Sequence, residues 1–123
     1  MAAINRGTRP SGSRPIVIIP ARISASASAL RSRAEVSAAA LVASVWAAGG
    51  EPMTVHPDAP GAVLDDALVD AVAERFWMAG AILLPGGGDM SARWSGQQAH
   101  DTLYDVDEEQ DAFDLALGRW ALR

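Results

Sequence analysis

Three consecutive glycines, Gly86, Gly87 and Gly88, carry the most chemical content in the sequence. They follow the apolar residues 81–84 and Pro85. Glycines lack a Cβ atom, so several backbone N–H groups can converge on one point. At the carboxyl end of a parallel strand such a turn can bind an anion or form an oxyanion hole. A tight turn without a ligand is the alternative, and the turn alone does not decide between them.

Three other side chains are weaker candidates. Arg22 follows the first predicted strand, at the end of the sheet where the glycine turn is expected, and a guanidinium there can hold a substrate carboxylate. A plain surface arginine is the alternative. His56 and His100 are too few and too far apart for a metal site or a triad. We interpret His56 as a loop residue, and His100 as a solvated residue of a loop that can border the pocket.

Acidic residues cluster before the last predicted helix: Asp105, Asp107, Glu108, Glu109 and Asp111. Carboxylates in such a cluster can hold a hard cation. A helix N-terminus also attracts acidic residues through its dipole, which explains the cluster more simply. We therefore predict no metal and no cofactor.

Composition limits the class of protein. The chain has 123 residues, enough for one domain, and half of them are hydrophobic. A net charge of -5 argues against nucleic acid or an anionic membrane as partner. The absence of cysteine excludes disulfides and thiolate metal sites. With no long apolar run, we expect a cytoplasmic protein.

The apolar pattern predicts alternating strands and helices. Residues 1–15 read as a flexible tail, and residues 16–123 as one domain. Strands are predicted at 16–19, 53–55 and 81–84, and helices at 30–48, at 64–76 and from 107 onward. This alternation indicates an α/β fold with a parallel sheet.

The end of the chain gives two further expectations. Asp107 and Gln110 resemble a capping box, in which each side chain bonds the other residue's backbone N–H. Phe113, Leu117 and Trp120 form an apolar helix face that needs a sheet to cover, so a fourth strand is expected to follow. The tryptophans are interpreted as packing residues, and residues 91–105 as a polar loop.

Three segments occur in an order typical of a known group: residues 48–53 (AGGEPM), 80–89 (GAILLPGGGD) and 104–114 (YDVDEEQDAFD). Together they resemble the first half of the γ-glutamyl-γ-aminobutyrate hydrolase group, the C26 peptidase-like branch of class I glutamine amidotransferases. The likeness covers about residues 15–123.

The resemblance implies an incomplete flavodoxin-like three-layer domain. It also implies a Cys-His-Glu hydrolase of small γ-glutamyl amides, with an oxyanion hole formed partly by Gly86, Gly87 or Gly88. The cysteine elbow would come after the last helix, so the chain alone is expected to be inactive. Four residues depart from the pattern, which leaves the substrate open: Ala79, Ala92, Ser95 and Gln110.

Three hypotheses follow. The first is a partial hydrolase or amidotransferase, completed by a downstream segment or by a second chain. The second is a non-catalytic flavodoxin-like module that binds a small anion at the glycine turn. The third is a gene remnant without a stable fold. In the first case the strand at 81–84 should form a sheet edge, which favours self-association.

Overall fold

The computed structural model describes residues 2–3, 12–21, 28–85 and 88–123. The strands are β1 Ala2–Ala3, β2 Ile16–Pro20, β3 Glu51–Val55 and β4 Ala79–Ile82. The α-helices are α1 Ser28–Ala47, α2 Asp66–Arg75 and α3 Glu108–Ala121, and short 3-10 helices span Pro60–Ala62 and Ala92–Ser95.

Strands β2, β3 and β4 form a small, open, all-parallel sheet in which β2 lies between the other two. The prediction of an α/β fold with a parallel sheet is therefore confirmed. β1 adds two antiparallel pairs on the outer side of β4, Ala2 with Ile82 and Ala3 with Ala81. The predicted edge strand thus has a two-residue neighbour, supplied by the region predicted to be a tail.

The central strand β2 is buried on both faces, as its apolar run predicts. Alternate residues of a strand face opposite sides of the sheet. Val17 and Ile19 pack with Val45 of α1, whereas Ile18 belongs to the cluster formed with α2 and α3. Ile18 and Ile19 are at most 1% exposed, and burying such a side chain contributes about 1.5–3 kcal/mol. Helices therefore cover both faces of the sheet.

The larger of the two clusters joins α2 and α3. Phe113, Leu117 and Trp120 of α3 are each at most 1% exposed, as the predicted apolar face requires. Phe113 meets Phe76 edge to face, with ring centroids 6.3 Å apart. The interpretation of every tryptophan as a packing residue is wrong for Trp77 and Trp46, which are 62% and 47% exposed.

Side chains begin both helices of this layer. Asp65 accepts a hydrogen bond from the backbone N–H of Leu68 at the start of α2. Asp107 accepts from the N–H groups of Glu109 and Gln110 at the start of α3. The reciprocal half of the predicted capping box is wrong, because Gln110 Nε2 donates forward to Asp114 Oδ1 at 2.7 Å.

β4 begins two residues earlier than predicted. Its pairing with β2 shifts between Ile16 and Val17, so that Ile16 lies opposite Ala79 and Val17 opposite Ala81. Gly80 falls at this irregularity, and a Cβ atom there would lie 3.0 Å from Pro15 Cβ. Glycine thus allows Pro15 to approach the strand closely.

Candidate functional site

The strand order defines a candidate position at the carboxyl end of the sheet. The chain passes from β2 outward to β3 and returns across β2 to β4, so the order reverses between β2 and β4. The N–H of Leu83 donates to Ile18 O at 2.8 Å, which keeps the two strands together up to their ends. Open α/β sheets bind ligands at such a reversal. β4 ends at Ile82, and the predicted glycine turn comes after it in the sequence, so its role at this end of the sheet stays a prediction.

Part of the predicted site lies outside the described residues. Arg22, Gly86 and Gly87 are not described, whereas Gly88 is. A Cβ atom at Gly88 would collide with the carbonyl oxygen of Asp105. Glycine is required at this position for close backbone approach.

Residues 88–89 are joined to residues 104–105 by a pair of hydrogen bonds. The N–H of Asp89 donates to Tyr104 O at 3.0 Å, and the N–H of Tyr104 donates to Asp89 Oδ2 at 3.2 Å. Asp105 itself is left-handed, with φ of 51°. Non-glycine residues adopt this conformation infrequently, although aspartate is among those that tolerate it best. The downstream end of the glycine turn is therefore fixed to the segment that enters α3.

A buried carboxylate holds the next residues against α3. Asp111 is 7% exposed and is the one charged side chain that is buried among those described. Its Oδ2 accepts the backbone N–H of Ser91 at 2.8 Å and the indole N–H of Trp94 at 3.0 Å. Bonds to a charged acceptor are stronger than neutral ones. We call these contacts, with those of Glu108 described next, the clamp.

Glu108 forms the exposed half of the clamp. Its Oε1 accepts the Ser91 hydroxyl at 2.8 Å, and its Oε2 accepts Arg93 Nη1 at 3.0 Å. These bonds, Ser91 first and Arg93 second, lower the pKa of Glu108. Arg93 also stacks over the Trp94 ring, 4.4 Å from its centroid.

The clamp explains two features that the sequence left undefined. Residues 91–105, predicted as a polar loop, contain a 3-10 helix at Ala92–Ser95, which Ser91 begins and the left-handed Gly96 ends. The acidic cluster divides into a cap at Asp107, an ion pair at Glu108 and a buried acceptor at Asp111. No group of three or more histidine or acidic side chains suited to a metal ion occurs in the described part of the chain.

A serine and a glutamate in hydrogen-bond contact can suggest a nucleophile and its base. Ser91 and Glu108 do not suit that chemistry. The lowered pKa makes the Glu108 carboxylate a weak base. The Ser91 hydroxyl oxygen also accepts the backbone N–H of Arg93 at the start of the 3-10 helix. Both groups therefore serve structure.

A second carboxylate on α3 has a perturbed pKa. Burial raises the pKa of Asp114 to about 6, the Gln110 amide opposes the rise, and the charges of Asp111 and Asp107 add to it. Gln110 Oε1 is buried without a hydrogen-bond partner in the described structure. This pair makes the buried flank of α3 sensitive to pH.

A cavity of about 440 Å³ lies beside the clamp. It is lined by residues of the loop at 90–103, by Leu64 and by Leu115 and Arg119 of α3. The described residues flanking the undescribed glycines, Pro85 and Gly88, do not line it. His100 does: it is exposed, and its Nδ1 lies 2.9 Å from Thr102 Oγ1.

His56 lies apart from the clamp and the cavity. It is an exposed loop residue, as predicted, with Nδ1 2.9 Å from Pro57 O.

No protein-family model matches the chain, and no curated protein matches it. Among the described helices, none has the length and apolar character needed to cross a membrane.

Sequence reasoning did not identify Ser91, Trp94 and Arg119 as site residues, and it considered Asp111 only as one of a cluster of acidic residues. The clamp bonds span 15–20 positions, and no local pattern marks partners that far apart. One weak signal existed: Asp111 directly precedes the apolar stripe that begins with Ala112 and Phe113. A carboxylate beside such a stripe is often buried with a partner.

Proposed function

We propose that this chain is the N-terminal part of a flavodoxin-like, class I glutamine-amidotransferase-like domain of the γ-glutamyl hydrolase group. In this proposal the glycine turn contributes backbone N–H donors to an oxyanion hole for a small γ-glutamyl amide. The three sequence segments that resemble the group support it, as does the strand order.

One observation carries the proposal. The glycine turn follows β4 at the reversal of strand order, and Gly88 is held against Asp105 by contacts that leave no room for a side chain. An oxyanion hole needs donors that are fixed before charge develops, because their reorganisation would otherwise add to the barrier. Fixing the turn through the Asp89–Tyr104 pair and the clamp meets this need.

The 123 residues do not supply the nucleophile of such an enzyme, because they contain no cysteine. A thiolate must come from outside them, in a further segment or a second chain. The chain by itself should therefore show no γ-glutamyl amidase activity and no labelling by thiol-blocking reagents.

Completion of the domain tests the proposal. The half that carries the cysteine is taken from a hydrolase of the group and joined after Arg123, and turnover of a γ-glutamyl amide is measured. Alanine replacements at Gly86, Gly87 and Gly88 are then compared with Gly118→Ala as the control. A Cβ atom at Gly118 meets nothing within 4 Å, and alanine is favoured inside a helix.

Alanine keeps its backbone N–H, so these replacements act by displacing a donor, and loss of one oxyanion donor lowers kcat by about 10²–10³-fold. We expect a loss of this size from at least one of the three replacements, with unchanged circular dichroism and near-normal activity in Gly118→Ala. Full kcat in all three variants would refute a catalytic role for the turn. A completed chain that folds but never turns over γ-glutamyl amides would refute the proposed family.

The second candidate is the non-catalytic module that binds a small anion at the same turn. The absence of cysteine from the 123 residues favours it, as does the structural role of Ser91 and Glu108. Titration of the isolated chain with inorganic phosphate, followed by the glycine amide resonances, distinguishes the two. Saturable shifts of the amide resonances of Gly86–Gly88 would support the anion-binding module. Their absence would rule out this second candidate function.

A further inference from the structure

The cavity beside the clamp has the size of a small-molecule site. Its volume of about 440 Å³ falls within the range of roughly 300–1,000 Å³ usual for such sites. Much of its wall is apolar and partly buried, formed by Leu64, Trp94, Leu103 and Leu115. A predominantly apolar wall with a few polar groups is typical of ligand sites.

The charged group of the cavity is Arg119. Within the described part of the chain, its guanidinium forms no hydrogen bond and no ion pair. Arg93 and Arg123, by contrast, are paired with Glu108 and Asp70. An unpaired guanidinium next to an apolar wall favours a ligand that carries a carboxylate, because the two groups can form parallel hydrogen bonds.

His100 adds a second donor. Its Nδ1 accepts the backbone N–H of Thr102 at 3.2 Å. A backbone N–H can only donate, so the neutral ring carries its proton on Nε2. Both Arg119 and His100 line the cavity, so two side chains with hydrogen-bond donors are available to a ligand. Of the two carboxylates bonded to cavity residues, Glu108 is paired with Arg93, and Asp111 Oδ2 accepts the Ser91 and Trp94 N–H groups.

We propose that this cavity binds a small monocarboxylate with an apolar body, the carboxylate on Arg119 and the body against Leu64, Leu103 and Leu115. This site goes beyond the proposed function, since neither Pro85 nor Gly88 lines the cavity. An amidase site at the turn and a carboxylate site at α3 can be present or absent independently.

Binding is tested on the full chain at neutral pH with hexanoate, and with hexylamine as a probe of equal length and opposite charge. We expect hexanoate to shift the amide resonances of His100, Leu115 and Arg119, with a Kd of about 1 mM, ordinary for a ligand of this size. Hexylamine should bind at least tenfold more weakly.

Three variants test the role of the Arg119 charge. Arg119→Gln should raise the Kd for hexanoate at least tenfold. Arg75→Gln, which removes the same charge from the end of α2 outside the cavity, should change it less than twofold. Arg119→Lys should give an intermediate Kd, because a lysine keeps the charge but loses the forked geometry.

The proposal would be overturned by no saturable binding of hexanoate up to tens of millimolar, by equal binding of hexylamine, or by an unchanged Kd in Arg119→Gln. Shifts confined to the glycine turn would also overturn it, since they would place the carboxylate at the other site. Both Arg119 and Arg75 are exposed, and circular dichroism checks each variant, because Arg75 also stacks over the Phe76 ring at 4.7 Å.

Discussion

Replacement of Asp111 by alanine is the sharpest test of the clamp. The change removes one acceptor from two donors, the Ser91 N–H and the Trp94 indole N–H. A hydrogen bond to a charged group contributes about 1.5–3 kcal/mol. The two losses should not add in full, because water can reach the part-buried donors once the loop loosens. Removing Asp111 also relieves its repulsion of Asp114.

We therefore expect Asp111→Ala to lower the free energy of unfolding by about 2–4 kcal/mol. For a domain of this size that corresponds to a fall in Tm of about 8–15 °C. Asp111→Asn keeps an acceptor oxygen but loses the charge, so its loss should be smaller, about 1 kcal/mol. In the same variant the pKa of Asp114 should fall, because the charge of Asp111 is one cause of its rise.

Urea unfolding followed by circular dichroism gives the stabilities, and the indole N–H resonance of Trp94 reports the clamp locally. Glu109→Ala is the matched control, because Glu109 is exposed on the same helical turn. Glu109→Ala should lower the free energy of unfolding by less than about 1 kcal/mol, because only the interaction of Glu109 with the helix dipole is lost. Equal losses in Asp111→Ala and Glu109→Ala, or an unchanged Trp94 resonance in Asp111→Ala, would refute the clamp.

Three further predictions concern the same layer. The raised pKa of Asp114, about 6 against 3.8, means that its ionised form destabilises the fold, so stability should rise as pH falls from above 6 toward 4. Asp114→Asn should remove that pH dependence and raise the free energy of unfolding at pH 7 by at most about 3 kcal/mol. The measurement compares urea unfolding of the variant with that of the unchanged chain at each pH. Gly88→Ala should lower the free energy of unfolding by about 1–3 kcal/mol, because its Cβ atom would meet the Asp105 backbone. Gly118→Ala, measured in the same urea assay, should leave the free energy of unfolding unchanged or raise it by up to about 1 kcal/mol. Asp107→Ala should lower the free energy of unfolding, measured with urea, by about 1 kcal/mol, because the cap of α3 is lost. An unchanged free energy of unfolding would mean that Asp107 does not cap the helix in solution.

The elements of the fold could be predicted because each has a local signal. The apolar run that forms β2 has no polar position, and a strand without one must be covered on both faces. The helices follow from apolar residues at helical spacing, and glycine or acidic residues mark their ends. Element boundaries were less accurate: β4 starts at Ala79, two residues earlier than the apolar run suggests.

The contacts of the candidate site could not be predicted because they are long-range. The sequence does not distinguish one acidic residue at a helix N-terminus from another. In the structure, however, Glu108 is exposed and ion-paired, whereas Asp111 is buried. The reason for glycine at position 88 is likewise a contact with Asp105, 17 residues later. Only the folded path of the loop at 90–103 distinguishes these cases.

The clamp and the glycine turn are mechanically linked, whichever function the turn serves. β4 fixes the turn upstream through Leu83, and the Asp89–Tyr104 pair fixes it downstream. Ser91 lies two residues after Asp89 and donates its backbone N–H to Asp111. Loss of that hydrogen bond would therefore loosen the chain close to Gly88. Donors that must be fixed before a ligand arrives need both ends held. A buried carboxylate on α3 therefore supports the position of Gly88 through residues 89–91.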